Sequence, residues 1–221
     1  MFALINKLNI YYEIHGHHED CVVLLHGNGE DHTIFSMLVD KLARDFKVIV
    51  VDMRSHGQSD YVSYLNYEDM MGDIFELINS LHLKRVSIVG FSDGGIIGLM
   101  LAYTYPYLIK NLVACSPNIN PKGFKLTEYM KMKKEYLLHH EDKVRLMLEQ
   151  PDIKLHELER ITCPVLLLCG QNDVIKQSHF DDIVKAIPNC MMKVFPKENH
   201  YSYIVNSDKA FVDIDLFLRK H

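Results

Sequence analysis

Arg85-Val86-Ser87-Ile88-Val89-Gly90-Phe91-Ser92-Asp93-Gly94-Gly95-Ile96-Ile97-Gly98-Leu99-Met100-Leu101-Ala102 is the stretch that decides how this chain is read. Five strand-like residues end at Gly90, and a helix-like apolar run begins at Ile96. Between them Ser92 stands in a G-x-S-x-G frame, the nucleophile elbow, where a strained strand-to-helix turn pushes a hydroxyl into the open. Gly90 and Gly94 lie two residues either side of Ser92 and leave room for strand and helix to approach closely. The motif alone also fits a plain glycine-rich turn, so the rest of the chain has to discriminate.

Outward from the elbow, apolar strand-like runs alternate with helix-like periods. Residues 2–14 read as two short strands, with Ile10, Tyr12 and Ile14 alternating, and a turn at Gly16-His17-His18 follows. Strands are expected at 22–25, 47–51, 85–89, 110–114, 165–169 and 191–195. Helices are expected over 34–44, 67–81, 93–104, 176–186 and about 203–219. Such alternation builds βαβ units, hence a mainly parallel sheet with helices on both faces and the leading antiparallel hairpin at one edge. Residues 118–160 break the rhythm. They carry only helical pattern, with Leu126, Tyr129, Met130, Lys133, Tyr136 and Leu137 in one amphipathic stretch and shorter candidates at 142–149 and 154–160. An insertion at the carboxyl edge of a parallel sheet lies where ligands bind in such folds. The expected organisation is a core of residues 1–117 and 161–221 with a small helical lid of residues 118–160.

Bulk properties narrow the class. The 221 residues suit one domain with a substantial core. With 48% hydrophobic and 24% charged residues the composition is that of a globular protein. The net charge of −5 and a pI near 6.2 disfavour a nucleic-acid partner. Lys131-Met132-Lys133-Lys134 reads as a solvated helix face. No apolar stretch is long enough to span a bilayer, so no membrane partner is expected. Five cysteines without C-x-x-C spacing and an N-terminus without a basic leader point to a cytoplasmic chain. No metal site or cofactor is called for.

A serine hydroxyl is a weak nucleophile and needs a base, and the base needs a third group to orient it. Asp173 follows the strand Pro164 to Cys169 on a loop at the same sheet edge as Ser92. A lone loop aspartate is also a common turn-former. Among thirteen histidines, His200 alone lies on a loop between a late strand and the last helix. His139, His140 and His156 fall in the insertion and His179 in a helix. Backbone N–H groups of Asp93 and of Asn28, in Leu25-His26-Gly27-Asn28-Gly29, are placed to hold an oxyanion. That loop is not a phosphate cradle, because G-x-G-x-x-G is not completed. His26 reads as a strut for it. Asp93 suits the positive end of a helix and, beside the nucleophile, also offers a partner for an ammonium-bearing substrate.

Taken together, Leu25-His26-Gly27-Asn28-Gly29, Asp52-Met53-Arg54-Ser55-His56-Gly57-Gln58-Ser59, Gly90 to Gly95, Cys163-Pro164 through Asp173, and Asn199-His200 resemble the α/β-hydrolase family over nearly the whole chain. The resemblance implies that Asp52 to Ser59 is a structural loop. The span from Ser92 to Asp173 is short beside members with full helical caps, which implies a reduced lid. Asn199 stands where many members have glycine. Some members take the acid from the preceding strand, but Cys115-Ser116-Pro117-Asn118 offers no carboxylate there, so Asp173 keeps that part. The implied activity is hydrolysis of a small carboxylic ester by Ser92, His200 and Asp173, with Asn28 and Asp93 as oxyanion donors. Phe91, Phe124, Leu126, Tyr129 and Met130 are the candidate apolar pocket. Thioesterases, lactonases, carbon–carbon bond hydrolases and cofactor-free peroxidases share the fold, as do non-catalytic ligand-binding members. A dehalogenase would need aspartate at the elbow.

Overall fold

A computed structural model describes all residues, 1–221. Eight strands form one sheet in the order β1-β2-β4-β3-β5-β6-β7-β8. They are β1 (Phe2–Ile5), β2 (Leu8–His15), β3 (Cys21–Leu25), β4 (Lys47–Val51), β5 (Val86–Phe91), β6 (Ile109–Cys115), β7 (Val165–Asn172) and β8 (Cys190–Asn199). The β1–β2 and β2–β4 pairs are antiparallel, and every pair from β4 to β8 is parallel. This is the α/β-hydrolase architecture, with its antiparallel hairpin at one edge.

The parallel strands are apolar on both faces because both are covered. Successive side chains point to opposite sides of a strand. Val23 and Leu25 accordingly join a core with α2 (Tyr67–Ser80), α3 (Asp93–Thr104) and α7 (Gln177–Ala186), whereas Val22 and Leu24 join a second core with α1 (Ser36–Leu42) and α8 (Phe211–Lys220). Continuous runs such as Cys21–Leu25, buried throughout, are what such a sheet demands.

Two expected elements come out shorter. The helix expected over 34–44 is a 3-10 turn, His32–Phe35, followed by α1. Asp31 caps that turn, its carboxylate accepting from the Thr33 N–H at 2.8 Å. The final helix begins only at Phe211, because residues 201–210 form turns, with Asn206 at positive φ. Those turns carry Tyr203 into the second core. In exchange β8 extends to Asn199. Residues 118–160 hold α4 (Leu126–His139), α5 (Asp142–Glu149) and the single turn α6 (Leu155–Leu158). The insertion is anchored to the loop before α2. Leu65 N–H donates to Asp142 at 2.5 Å, and Arg145 Nη2 donates to Leu65 O at 2.6 Å while its guanidinium lies 3.9 Å over the Tyr64 ring.

Candidate active site

The parallel register brings the site together. Leu25 pairs with Gly90, Phe91 with Cys115, and Asn172 with Asn199. The next residues along these strands, or one short loop beyond, are His26 to Asn28, Ser92, Ser116, Asp173 and His200. All lie at the carboxyl edge. The sheet order reverses between β3 and β5, the switch point at which α/β sheets open a crevice.

Ser92 is held at φ 50° and ψ −110°, a conformation that side-chain-bearing residues avoid and that close packing must impose. A Cβ on Gly94 would collide with the backbone of Leu25, and one on Gly90 with the backbone of Gly94. Ser92 N–H donates to Cys115 O at 2.8 Å and Gly94 N–H to His26 O at 3.0 Å, fixing the elbow on both sides.

Ser92 Oγ lies 3.2 Å from His200 Nε2, and His200 Nδ1 lies 2.7 Å from Asp173 Oδ1. A carboxylate only accepts, so Nδ1 carries the proton and Nε2 faces the serine as an acceptor. Asp173 is buried and its carboxylate has three partners. Oδ1 also accepts the Ile175 N–H at 3.0 Å, and Oδ2 accepts Ser116 Oγ at 2.5 Å. Burial pushes its carboxyl up, but the bonds from His200, Ser116 and Ile175 outweigh this and hold it below the usual range. Ser116 Oγ in turn lies 2.7 Å from Tyr203 Oη, which donates to Leu168 O at 3.0 Å. The sequence reading missed Ser116 and Tyr203 as the supports of Asp173. One signal was present: Ser116 directly follows a strand at the site edge.

The N–H groups of Asn28 and Asp93 have no acceptor in the protein, and the latter opens the first turn of α3. His26 is the strut that was expected. Its Nε2 accepts the Met53 N–H at 3.0 Å, its Nδ1 donates to Gly27 O at 2.7 Å, and burial pushes it down to about 4. The Asp52–Ser59 segment is likewise a structural loop. The Asp52 carboxylate accepts from the His32 and Gln58 N–H groups, and Arg54 grips Asp73 of α2 through two bonds of 2.6 and 2.7 Å.

The Asp93 carboxylate is taken up by partners within the protein. Fully buried, it accepts Tyr67 Oη at 2.8 Å and Asn28 Nδ2 at 3.0 Å, and burial pushes it up to about 6 against those two bonds. Asn28 Nδ2 also donates to Lys143 O at 3.2 Å. One amide therefore joins elbow, early loop and insertion.

Beside Ser92 is a cavity of about 200 Å³ whose wall includes Phe91, Phe124, Met132, Met147, Glu30 and Glu128. Of the expected pocket residues, Phe91 and Phe124 line it. Leu126 and Tyr129 instead line a groove of about 920 Å³ on the other side of Phe124. Met130 lines neither and is exposed. The helical period explains the correction: Glu128 and Met132 are one turn apart on the inner side of α4, which turns 126 and 130 away. Glu30, unremarked in the sequence, accepts the Gly27 N–H at 3.0 Å, and burial pushes it up to about 7.

Residues 20–145 match the family model described as alpha/beta hydrolase fold. The chain belongs to that family, and it is a hydrolase. The serine hydrolase BPHL of Homo sapiens is 27% identical over 237 residues, covering 93% of this chain and 81% of that protein. The pimeloyl-[acyl-carrier protein] methyl ester esterase of Aliivibrio salmonicida is 24% identical over 258 residues, covering 96% of each. Among solved structures, a carboxylesterase structure from Nitrososphaera gargenis superposes with a TM-score of 0.85 at 18% identity, covering 100% of this chain and 97% of that one. At that identity the likeness speaks for the fold.

Proposed function

We propose that this hydrolase cleaves a small carboxylic ester through an acyl-enzyme on Ser92. The observation that carries the reading is the line from Ser92 Oγ through His200 to Asp173, at 3.2 and 2.7 Å. His200 Nε2 takes the Ser92 proton as Oγ attacks the ester carbonyl, and Asp173 stabilises the imidazolium that forms. The free N–H groups of Asn28 and Asp93 hold the negative oxygen of the tetrahedral intermediate. As that intermediate collapses, the carbonyl–alkoxy bond breaks and His200 returns the proton to the departing alcohol. Water then repeats the sequence: His200 takes its proton, the hydroxide adds to the acyl carbon, and the carboxylic acid leaves with Ser92 restored. Nucleophile, base and donors all come from the chain.

Residues 118–160 act in this reading as a small lid. Phe124, Glu128, Met132 and Met147 from it wall the cavity, and Asn28 ties it to the oxyanion loop. A pocket of about 200 Å³ suits a short acyl or alcohol group. Five free cysteines fit a reducing, cytoplasmic setting.

A fluorophosphonate probe tests the assignment. Wild type is expected to label, with the adduct on Ser92, and Ser92→Ala to stay unlabelled while losing at least about 10⁴-fold in ester turnover. Labelling of both proteins, or of neither, overturns it.

A further inference from the structure

The outer face of α4 has no partner within the fold. The helix meets the core through Glu128, Tyr129, Met132 and Tyr136, and not one of its fourteen residues is buried. Steps of about 100° per residue gather Leu126, Met130 and Leu137 on the opposite side. They are 72%, 54% and 64% exposed. The apolar residues that marked this helix as amphipathic thus point largely into solvent. Lys133 and Lys134 flank them without an ion-pair partner, while Lys131 pairs with Glu128 at 2.7 Å. Residues 121–140 hold five lysines against two glutamates, in a chain whose net charge is −5. Apolar stripe and cationic flank coincide on one face, the pattern of a helix that lies in a lipid–water interface.

We propose that α4 docks this protein on an anionic lipid surface, with Leu126, Met130 and Leu137 among the upper acyl chains and the lysines on headgroup phosphates. Charge selects that occupant. A second copy of the chain would set one lysine-rich face against another, and a zwitterionic surface has no net negative charge to attract the lysines. The contact is peripheral, since no helix is long and apolar enough to cross a membrane, and it adds a surface partner where the sequence suggested none. Docking does not depend on the ester-hydrolase reading. Its consequence does: Glu128 and Met132 on the inner side of α4 wall the cavity beside Ser92, so docking would hold one wall of that cavity against the lipid surface.

Co-sedimentation of the full chain with vesicles of phosphatidylglycerol and of phosphatidylcholine tests this. Wild type is expected to pellet with phosphatidylglycerol, to be released by high salt, and to stay in solution with phosphatidylcholine. Each lysine near an anionic surface contributes about fivefold to partitioning, so Lys133→Gln/Lys134→Gln should bind about 25-fold more weakly. Met130→Asp/Leu137→Asp should abolish binding. Both variants should keep the wild-type melting temperature, a control that holds whether or not the chain cleaves esters. No binding to phosphatidylglycerol, or binding that the four substitutions leave unchanged, overturns the proposal. So does a wild-type dimer that Met130→Asp/Leu137→Asp dissolves while vesicles stay bare, because the face then belongs to a second copy.

Discussion

Helices α3 and α4 are of similar length and both border the candidate site, yet one is almost wholly buried and the other not at all. α3 is apolar on every side because the sheet, α2 and the insertion surround it. Its first turn can therefore hold Ser92 at a backbone geometry that an exposed helix would relax. α4 touches the body along one partly covered side and has little to fix its position. The difference separates two tasks: the core builds the reacting groups and holds them still, while, in the reading proposed above, the insertion that carries the thinly covered α4 decides what reaches them. A change in the first region should act on turnover and a change in the second on choice of substrate.

Asp173→Asn strikes the first region hardest. An asparagine can still accept the Ile175 N–H but offers His200 Nδ1 a neutral partner, and it can present its amide instead of its oxygen. A fall of about 10⁴-fold in kcat on a soluble ester is expected, with the fold retained by circular dichroism. A loss below about tenfold would mean that another acceptor orients His200, and the division between the two regions would fail at its centre.

Phe124→Ala probes the second region. Phe124 stands between the cavity of about 200 Å³ and the groove of about 920 Å³. Removing the ring should join them. The ratio of kcat/KM for octanoate over acetate esters of one alcohol is expected to rise about tenfold, with kcat on acetate little changed. An unchanged ratio with a lower kcat on both esters would make Phe124 part of the rigid region after all.

The same division explains what could be read from sequence. Strand–helix alternation, the glycines around Ser92, and the order Ser92, Asp173, His200 follow from local pattern and chain topology, and those three side chains do converge. Ser116 and Tyr203 escaped because their contacts join residues far apart in sequence, and neither carries a chemical signature of its own. The α4 face was misjudged for a related reason. Periodicity reports that a helix has an apolar side, but not whether that side meets protein. With so few neighbours, Leu126, Met130 and Leu137 were free to face outward.

Glu30 gives the smallest and subtlest test, because it belongs to the rigid loop yet faces the cavity. Its carboxyl is raised from 4.5 to about 7 by burial. Between these values the unfolded chain has released the proton while the native state keeps it, so the native state binds more protons and loses stability as pH rises. Glu30→Gln removes that term and can still accept the Gly27 N–H through its amide oxygen. The melting temperature of the variant relative to wild type should therefore climb from pH 5 to pH 8 and level off beyond. A difference that stays flat across this window would mean that Glu30 ionises freely in the fold. The rigid region would then carry no strained charge at the edge of the cavity.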